Sequence, residues 1–207
     1  MKKMHIRLDK EREELRTSGG LYIKLCKSVQ ESISEGGNWI WVQDKVTKER
    51  HLASDFEKLS RKYAVILKSR GFKPDDVLHL MVDNHYHNFF VLGGSWYLGG
   101  AGSLPGECGH HNYFGPEDLE AKVIAKQIKD SNPKVVICDE KTAKMVKEAV
   151  SAVEIDTEKK IHLFSFGKVE GIEDILAKLD TIDESSAPDP VVLENSDITT
   201  RVFLLLP

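Results

Sequence analysis

Few groupings in this chain have the residue types and spacing that chemistry needs. Gly99-Gly100-Ala101-Gly102 is the first. Glycine amides at a helix N-terminus can cradle phosphate. Here the glycines follow an apolar helix and precede an extended stretch, which reverses that order. Neither G-x-G-x-x-G after a strand nor G-x-x-x-x-G-K-S/T occurs. Helix termination and close packing are the expected role.

Cys108, His110 and His111, with His85 and His87, offer the sulfur and imidazole donors that suit zinc. C-x-H-H lacks the paired spacing of a structural site, and His85 and His87 are alternate residues at a helix start. A solvated loop and a helix cap are therefore expected. Ser95 and Ser103 have no G-x-S-x-G elbow around them, so neither reads as a triad nucleophile. Asp75-Asp76 resembles a pair of catalytic carboxylates but lies in turn chemistry, Lys73-Pro74-Asp75-Asp76. Cys138 ends an apolar run, where cysteine acts as a small hydrophobe. Trp39 and Trp41 alternate with Ile40 and Val42, and packing on both sides of a hairpin is expected for them. Lys141, Lys144 and Lys147 recur every third residue as an exposed helix face. No catalytic, cofactor-binding or metal-binding residue is assigned from the sequence.

The elements that hold these residues alternate between helix and strand. After a charged lead-in, residues 1–19, a helix carries Leu21, Leu25, Val29 and Ile33 at a spacing of four and ends at Gly36-Gly37. NWIWVQDKVTKERHL reads as a hairpin turning at Asp44-Lys45. Asp55 is the expected cap of a helix with the stripe Phe56, Leu59, Tyr63, Ile66 and Leu67, closed by Gly71. Val77–Val82 is a buried strand. Asp83-Asn84 opens a helix over His87–Leu98, stopped by Gly99-Gly100, and Ala101–Leu104 is extended. After the loop PGECGHHNYFGP come a helix over Asp118–Lys129, a break at Asn132-Pro133 and a buried strand, Lys134–Cys138. A helix over Lys141–Val150 follows, then a strand over Ile161–Phe166 with alternating faces, then a short helix over Gly171–Leu179. Residues 180–196 read as a surface linker, and the apolar ITTRVFLLLP ends the sequence. This order predicts an α/β fold with a largely parallel sheet flanked by helices. Ligands of such sheets sit at the carboxyl ends of the strands, so Asp83–His87 and Asp139–Lys141 mark the side for a site.

Composition excludes several classes. The 207 residues carry a net charge of -4, which argues against a dedicated nucleic-acid binder. Three widely spaced cysteines, Cys26, Cys108 and Cys138, make no disulfide framework and fit a reducing compartment. The charged N-terminus does not read as a secretory signal, and no apolar run reaches membrane-spanning length.

The ordered pieces of 55–139 resemble the N-terminal part of the adenylate-forming superfamily: acyl-CoA synthetases, 4-coumarate–CoA ligases and firefly-type luciferases. Leu59, Tyr63, Leu67, Gly71, Phe72, Asp76 and Val77 match its helix and following turn, with Asp75 where the family usually has glycine. Tyr97, Gly99, Gly100, Ser103 and Pro105 match its next element. Lys134-Val135-Val136-Ile137 and Asp197-Ile198 match later strands, so the likeness covers about Leu21 to Asp197.

The resemblance implies ATP- and Mg²⁺-dependent activation of a small carboxylic acid as acyl-AMP, then transfer to CoA, or reaction with O₂ in luciferases. It also implies a Ser/Thr/Gly-rich phosphate loop with a lysine just after the strand beginning near Asp197. ITTRVFLLLP stands there instead, and the later catalytic elements are not among these residues. The expectation is therefore an incomplete N-terminal subdomain over 20–207, from a shortened gene model or splice product. It would be inactive alone, bind no cofactor itself and span no membrane. It would be intracellular, in cytoplasm or peroxisome, with association through exposed apolar surface open to it. Two alternatives stand beside it: a non-catalytic module or regulator pairing with a full-length relative, and a small-molecule binder with a flavodoxin-like sheet.

Overall fold

The structure is a computed structural model that describes residues 19–44, 48–82, 85–104, 121–157, 160–192 and the backbone of 203–205. Its centre is a six-stranded sheet in the order β7-β6-β5-β3-β4-β8. The strands are β3 (Val77–Met81), β4 (Ala101–Leu104), β5 (Val135–Cys138), β6 (His162–Ser165), β7 (Glu173–Asp174) and β8 (Phe203–Leu205). Every neighbouring pair is parallel. Parallel neighbours need crossover connections, and the helices α3 (Asn88–Tyr97), α4 (Ala121–Ser131) and α5 (Ala143–Thr157) lie between successive strands.

Burial on both faces explains the continuous apolar strands. All four residues of β5 are buried. Val135 and Ile137 join Leu78, Leu80 and Phe164 in one core, under α1 (Leu21–Ser34), α2 (Asp55–Ser69) and α3. Val136 and Cys138 join Met81 in the other, under α4 and α5. The expected alternation in the third strand is present: Phe164 and Phe166 enter the first core, Ile161 and Leu163 the second.

Helices α2 and α3 pack closely because α3 presents Gly93 and Gly94 to α2. A Cβ on Gly94 would lie 2.6 Å from Tyr63 Cβ and 3.0 Å from Ala64 N, and one on Gly93 would meet Ser60 Oγ. The small residues let two backbones approach.

The structure departs from the sequence reading at several element ends. Asp55 is the first residue of α2 rather than its cap; its carboxylate accepts the Leu52 amide upstream at 2.8 Å, which ties hairpin to helix. Tyr22, outside the predicted stripe, is one of the two buried residues of α1 and packs edge-on against Tyr97, 4.9 Å between centroids. Helix α5 starts at Ala143, because Asp139 and Thr142 exchange hydrogen bonds before it, and continues past Val150 to bury Val153. The segment read as a helix from Gly171 first adds β7 to the sheet edge. Only α6 (Ile175–Leu179) is helical there, capped by Asp174, which accepts the Leu176 amide at 2.9 Å. Residues 180–192 run over the surface but are fastened to it. The Val191 amide donates to Tyr97 O at 2.8 Å, and Tyr97 Oη donates to Pro188 O.

The hairpin forms as β1 (Ile40–Gln43) and β2 (Arg50–Leu52), antiparallel with a register shift. Trp41 stacks on Phe56 at 5.1 Å. Packing on both sides, however, is not what the structure holds. Trp39, Ile40 and Leu52 remain 44, 43 and 37% exposed, while Trp41 and Val42 pack against the core, so the covered part of the hairpin is its Trp41–Val42 segment. The lead-in through Ser18, the Lys45 half of the turn, Asp83-Asn84, the loop from Pro105 and the segment around Asp197-Ile198 lie outside the described residues.

Candidate functional site

The carboxyl end of the sheet gathers most of the chain's described histidines. β3 delivers His85 and His87, β2 brings His51 from the hairpin, and β6 ends beside Phe166. His85 stacks on Phe166 at 4.7 Å and on Tyr86 at 4.6 Å between centroids. His87 lies 5.6 Å from the His85 ring and 5.8 Å from that of His51. The turn is drawn tight because His85 Nδ1 accepts the His87 amide at 3.2 Å. His87 Nδ1 lies 2.8 Å from Tyr63 Oη, so α2 anchors the same ring. Tyr86 Oη donates to Glu49 at 2.8 Å, and His51 Nε2 lies 3.3 Å from the other Glu49 oxygen.

Burial sets the electrostatics. Desolvation, then the His85 and His51 charges, depress His87 to about 3. Desolvation also lowers His85, against Asp44, Asp139 and Glu49, which pull the other way. Burial and the Glu49 carboxylate raise the Tyr86 phenol. His85 and His87 are thus neutral at rest. Among the described residues no group of three His, Cys, Asp or Glu side chains is arranged to hold a metal ion. His85 and His87 were candidates for zinc together with Cys108, His110 and His111; those last three lie outside the described residues.

The glycine segment sits at the other end of the sheet, and its amides are already in use. The Gly99 amide donates to Trp96 O at 3.0 Å, Gly100 to Ser95 O at 2.9 Å and Ala101 to Asp76 O at 3.0 Å. A Cβ on Gly100 would lie 2.7 Å from Asp76 O and against Phe72. Gly99 has φ +74 and ends α3, while Gly102 pairs with Leu78 and Phe203 in the ladder. Helix termination and packing hold as expected. Asp76 Oδ2 accepts the Lys73 amide at 2.9 Å and Asp75 takes φ +70, so this pair builds the turn.

The serines divide. Ser95 is buried on α3. Ser103 Oγ lies 2.9 Å from His79 Nδ1, a serine–histidine pair the sequence reading missed. The available signal was one polar residue inside the apolar run Val77–Met81, across the parallel register from Ser103. Both side chains are fully buried, and burial lowers His79 to about 4. With no approach for a substrate and no hydrogen-bond partner on His79 Nε2, the pair is structural. Cys138 is equally closed: its thiol faces Phe164 O at 3.4 Å and burial pushes it up to about 12. Lys144 is exposed, and Lys147 donates to Glu170 O.

No family model and no curated protein matches the sequence. Solved structures match the fold. A luciferase-like enzyme from the nonluminescent mealworm Zophobas morio aligns with a TM-score of 0.62 at 17% identity, over 80% of this chain and 35% of its own. A benzoate CoA ligase from Burkholderia xenovorans aligns with a TM-score of 0.58 at 13% identity, over 83% and 30%. A fatty acyl CoA synthetase of Mycobacterium tuberculosis aligns with a TM-score of 0.59 at 18% identity, over 81% and 30%. The chain spans about a third of the length of these structures and shares the fold of the N-terminal portion of adenylate-forming enzymes. No described helix is long and apolar enough to cross a membrane.

Proposed function

We propose that these 207 residues are the amino-terminal scaffold of an ATP-dependent carboxylate–CoA ligase-like protein, and that by themselves they form no acyl-adenylate. The supporting observation is the state of the glycine segment. Its amides are bonded within the fold, so it has no donors left for a triphosphate. Activating a carboxylate on the α-phosphate of ATP needs cations and backbone donors around the phosphorus. The Ser/Thr/Gly-rich loop and lysine that would supply them do not occur in the sequence. In the complete protein the reaction is acid plus ATP to acyl-AMP and then acyl-CoA, with Mg²⁺ and CoA, inside the cell in cytoplasm or peroxisome.

The coding sequence beyond codon 207 tests this reading. In-frame continuation into a Ser/Thr/Gly-rich loop followed by lysine supports it. In-frame continuation that lacks such a loop and lysine removes it.

A second reading, an interaction module for a full-length relative, is favoured by one observation, the exposed apolar side chains of Trp39, Ile40 and Leu52, the last two paired across the hairpin. Contiguous exposed apolar surface marks interaction sites. Co-expression with a luciferase-fold ligase distinguishes the two: a stable complex lost in a Trp39→Ser, Ile40→Ser variant supports the module, and two separate proteins oppose it.

A further inference from the structure

His85 occupies a particular place. It follows β3 where the sheet order reverses, with β4 on one side of β3 and β5 on the other. Open α/β sheets bind their ligands in the crevice at such a point. Its Nδ1 accepts the His87 amide at 3.2 Å, a bond that, with the Asn88 amide to His85 O at 3.0 Å, holds the turn into α3. A neutral imidazole has one N–H and one acceptor nitrogen. With Nδ1 accepting, the proton is on Nε2. A second proton can only fill Nδ1, and an N–H then faces the His87 N–H. The turn cannot keep this hydrogen bond once His85 is charged.

The groups around the ring give the charged form somewhere to go. The hairpin's Asp44 and Glu49 and the β5–α5 turn's Asp139 attract a proton to His85 electrostatically; Glu49 also accepts from Tyr86 and Asp139 from Thr142. From α2, Tyr63 Oη faces His87, and Asp55 lies 4.0 Å from His51. The remaining neighbours are the Tyr86 phenol, the His87 imidazole and, from the end of β6, uncharged Phe166.

We propose that His85 is an acid-operated latch on the turn that leads into α3. Neutral, it pins the His87 amide. Protonated, it releases that amide and turns toward Asp44, Glu49 and Asp139. The His85-Tyr86-His87 stack against the hairpin then loosens while the α2–α3 core stays closed, so the crevice at the carboxyl ends of β3 and β5 changes shape with pH. Burial places the transition on the acid side of an ordinary histidine.

Amide hydrogen exchange and ¹⁵N-histidine shifts on the 207-residue chain, between pH 7.5 and 5.0, test the latch. Protection of the His87 amide, corrected for intrinsic exchange, should fall by about tenfold or more along the His85 ring titration, with the Leu67 amide in α2 unchanged. His85→Asn keeps an acceptor that does not titrate and should abolish the step. Undiminished His87 protection after the His85 ring has titrated overturns the proposal. So does parallel loss of Leu67 protection, or an unchanged step in His85→Asn. The wild-type ring titration decides alone where the variant does not fold.

Discussion

The α2–α3 pair and the histidine cluster lie next to each other, and Tyr63 belongs to both. Its Cβ packs where Gly94 has no side chain, and its hydroxyl reaches His87. The two regions solve opposite problems. Between α2 and α3, stability comes from removing atoms, so that backbones touch and polar groups are few. At the carboxyl end of the sheet, burial keeps the His87 ring neutral among the half-buried rings of His51, His85 and Tyr86. The glycine-rich region has the composition of a phosphate loop but the order of a helix end, and packing closes it. His85 and His87 look like a helix cap in sequence, and they converge with His51.

The sharpest way to break this contrast is to put atoms back between the helices. Gly94→Val should cost about 3 kcal/mol or more, or prevent folding, since overpacking against a backbone has little room to relax. Urea unfolding or the yield of folded protein reads it. A cost below about 1 kcal/mol would mean the helices are not in close contact.

The histidines predict a pH dependence with a definite sign. His79 at about 4 and His87 at about 3 are depressed by burial. The unfolded chain therefore binds protons that the folded chain refuses. Their contribution is full above about pH 6.5 and is lost as pH falls toward their folded values, by a few kcal/mol in all. Denaturation midpoints at pH 7 and pH 5 measure it. A His79→Leu, Ser103→Ala variant, which removes the pair without leaving one partner buried alone, should flatten part of the slope. A wild-type stability equal at both pH values would contradict the neutral cluster.

Tyr63→Phe separates the two regions, because it keeps the packing and removes the bond to His87. A loss of about 1–2 kcal/mol is expected, the cost of leaving a buried partner unsatisfied, with the pH slope altered and the helix contact intact. The smallest effect is at Asp75. Its φ of +70 suits glycine better than aspartate, so Asp75→Gly should change stability by less than about 1 kcal/mol, in the stabilising direction. Thermal unfolding of the single variant checks the sign.

The sheet was legible wherever one residue type answered one physical demand. Val135–Cys138 reads as a buried strand because nothing polar interrupts it, and Gly71 and Gly99 read as helix ends because both need positive φ. Asp75, where the resembled family has glycine, falls at a positive φ too, so the departure is one of residue and not of backbone. The site was less legible because its members come from distant segments. His51 and His87 are 36 positions apart and meet only when the hairpin folds onto α2. The His79–Ser103 pair depends on strand register, which single-sequence patterning does not supply. Asp55 was misplaced as a cap because its partner, the Leu52 amide, lies upstream of the helix rather than within its first turn.

Carboxylate-dependent exchange of labelled pyrophosphate into ATP, run on the purified 207-residue chain with benzoate and fatty-acid panels and Mg²⁺, tests the central claim most directly. We predict no exchange above a protein-free control, because the sequence holds no Ser/Thr/Gly-rich loop with a lysine to stabilise the transition state. Acid-dependent exchange that rises with chain concentration would contradict it.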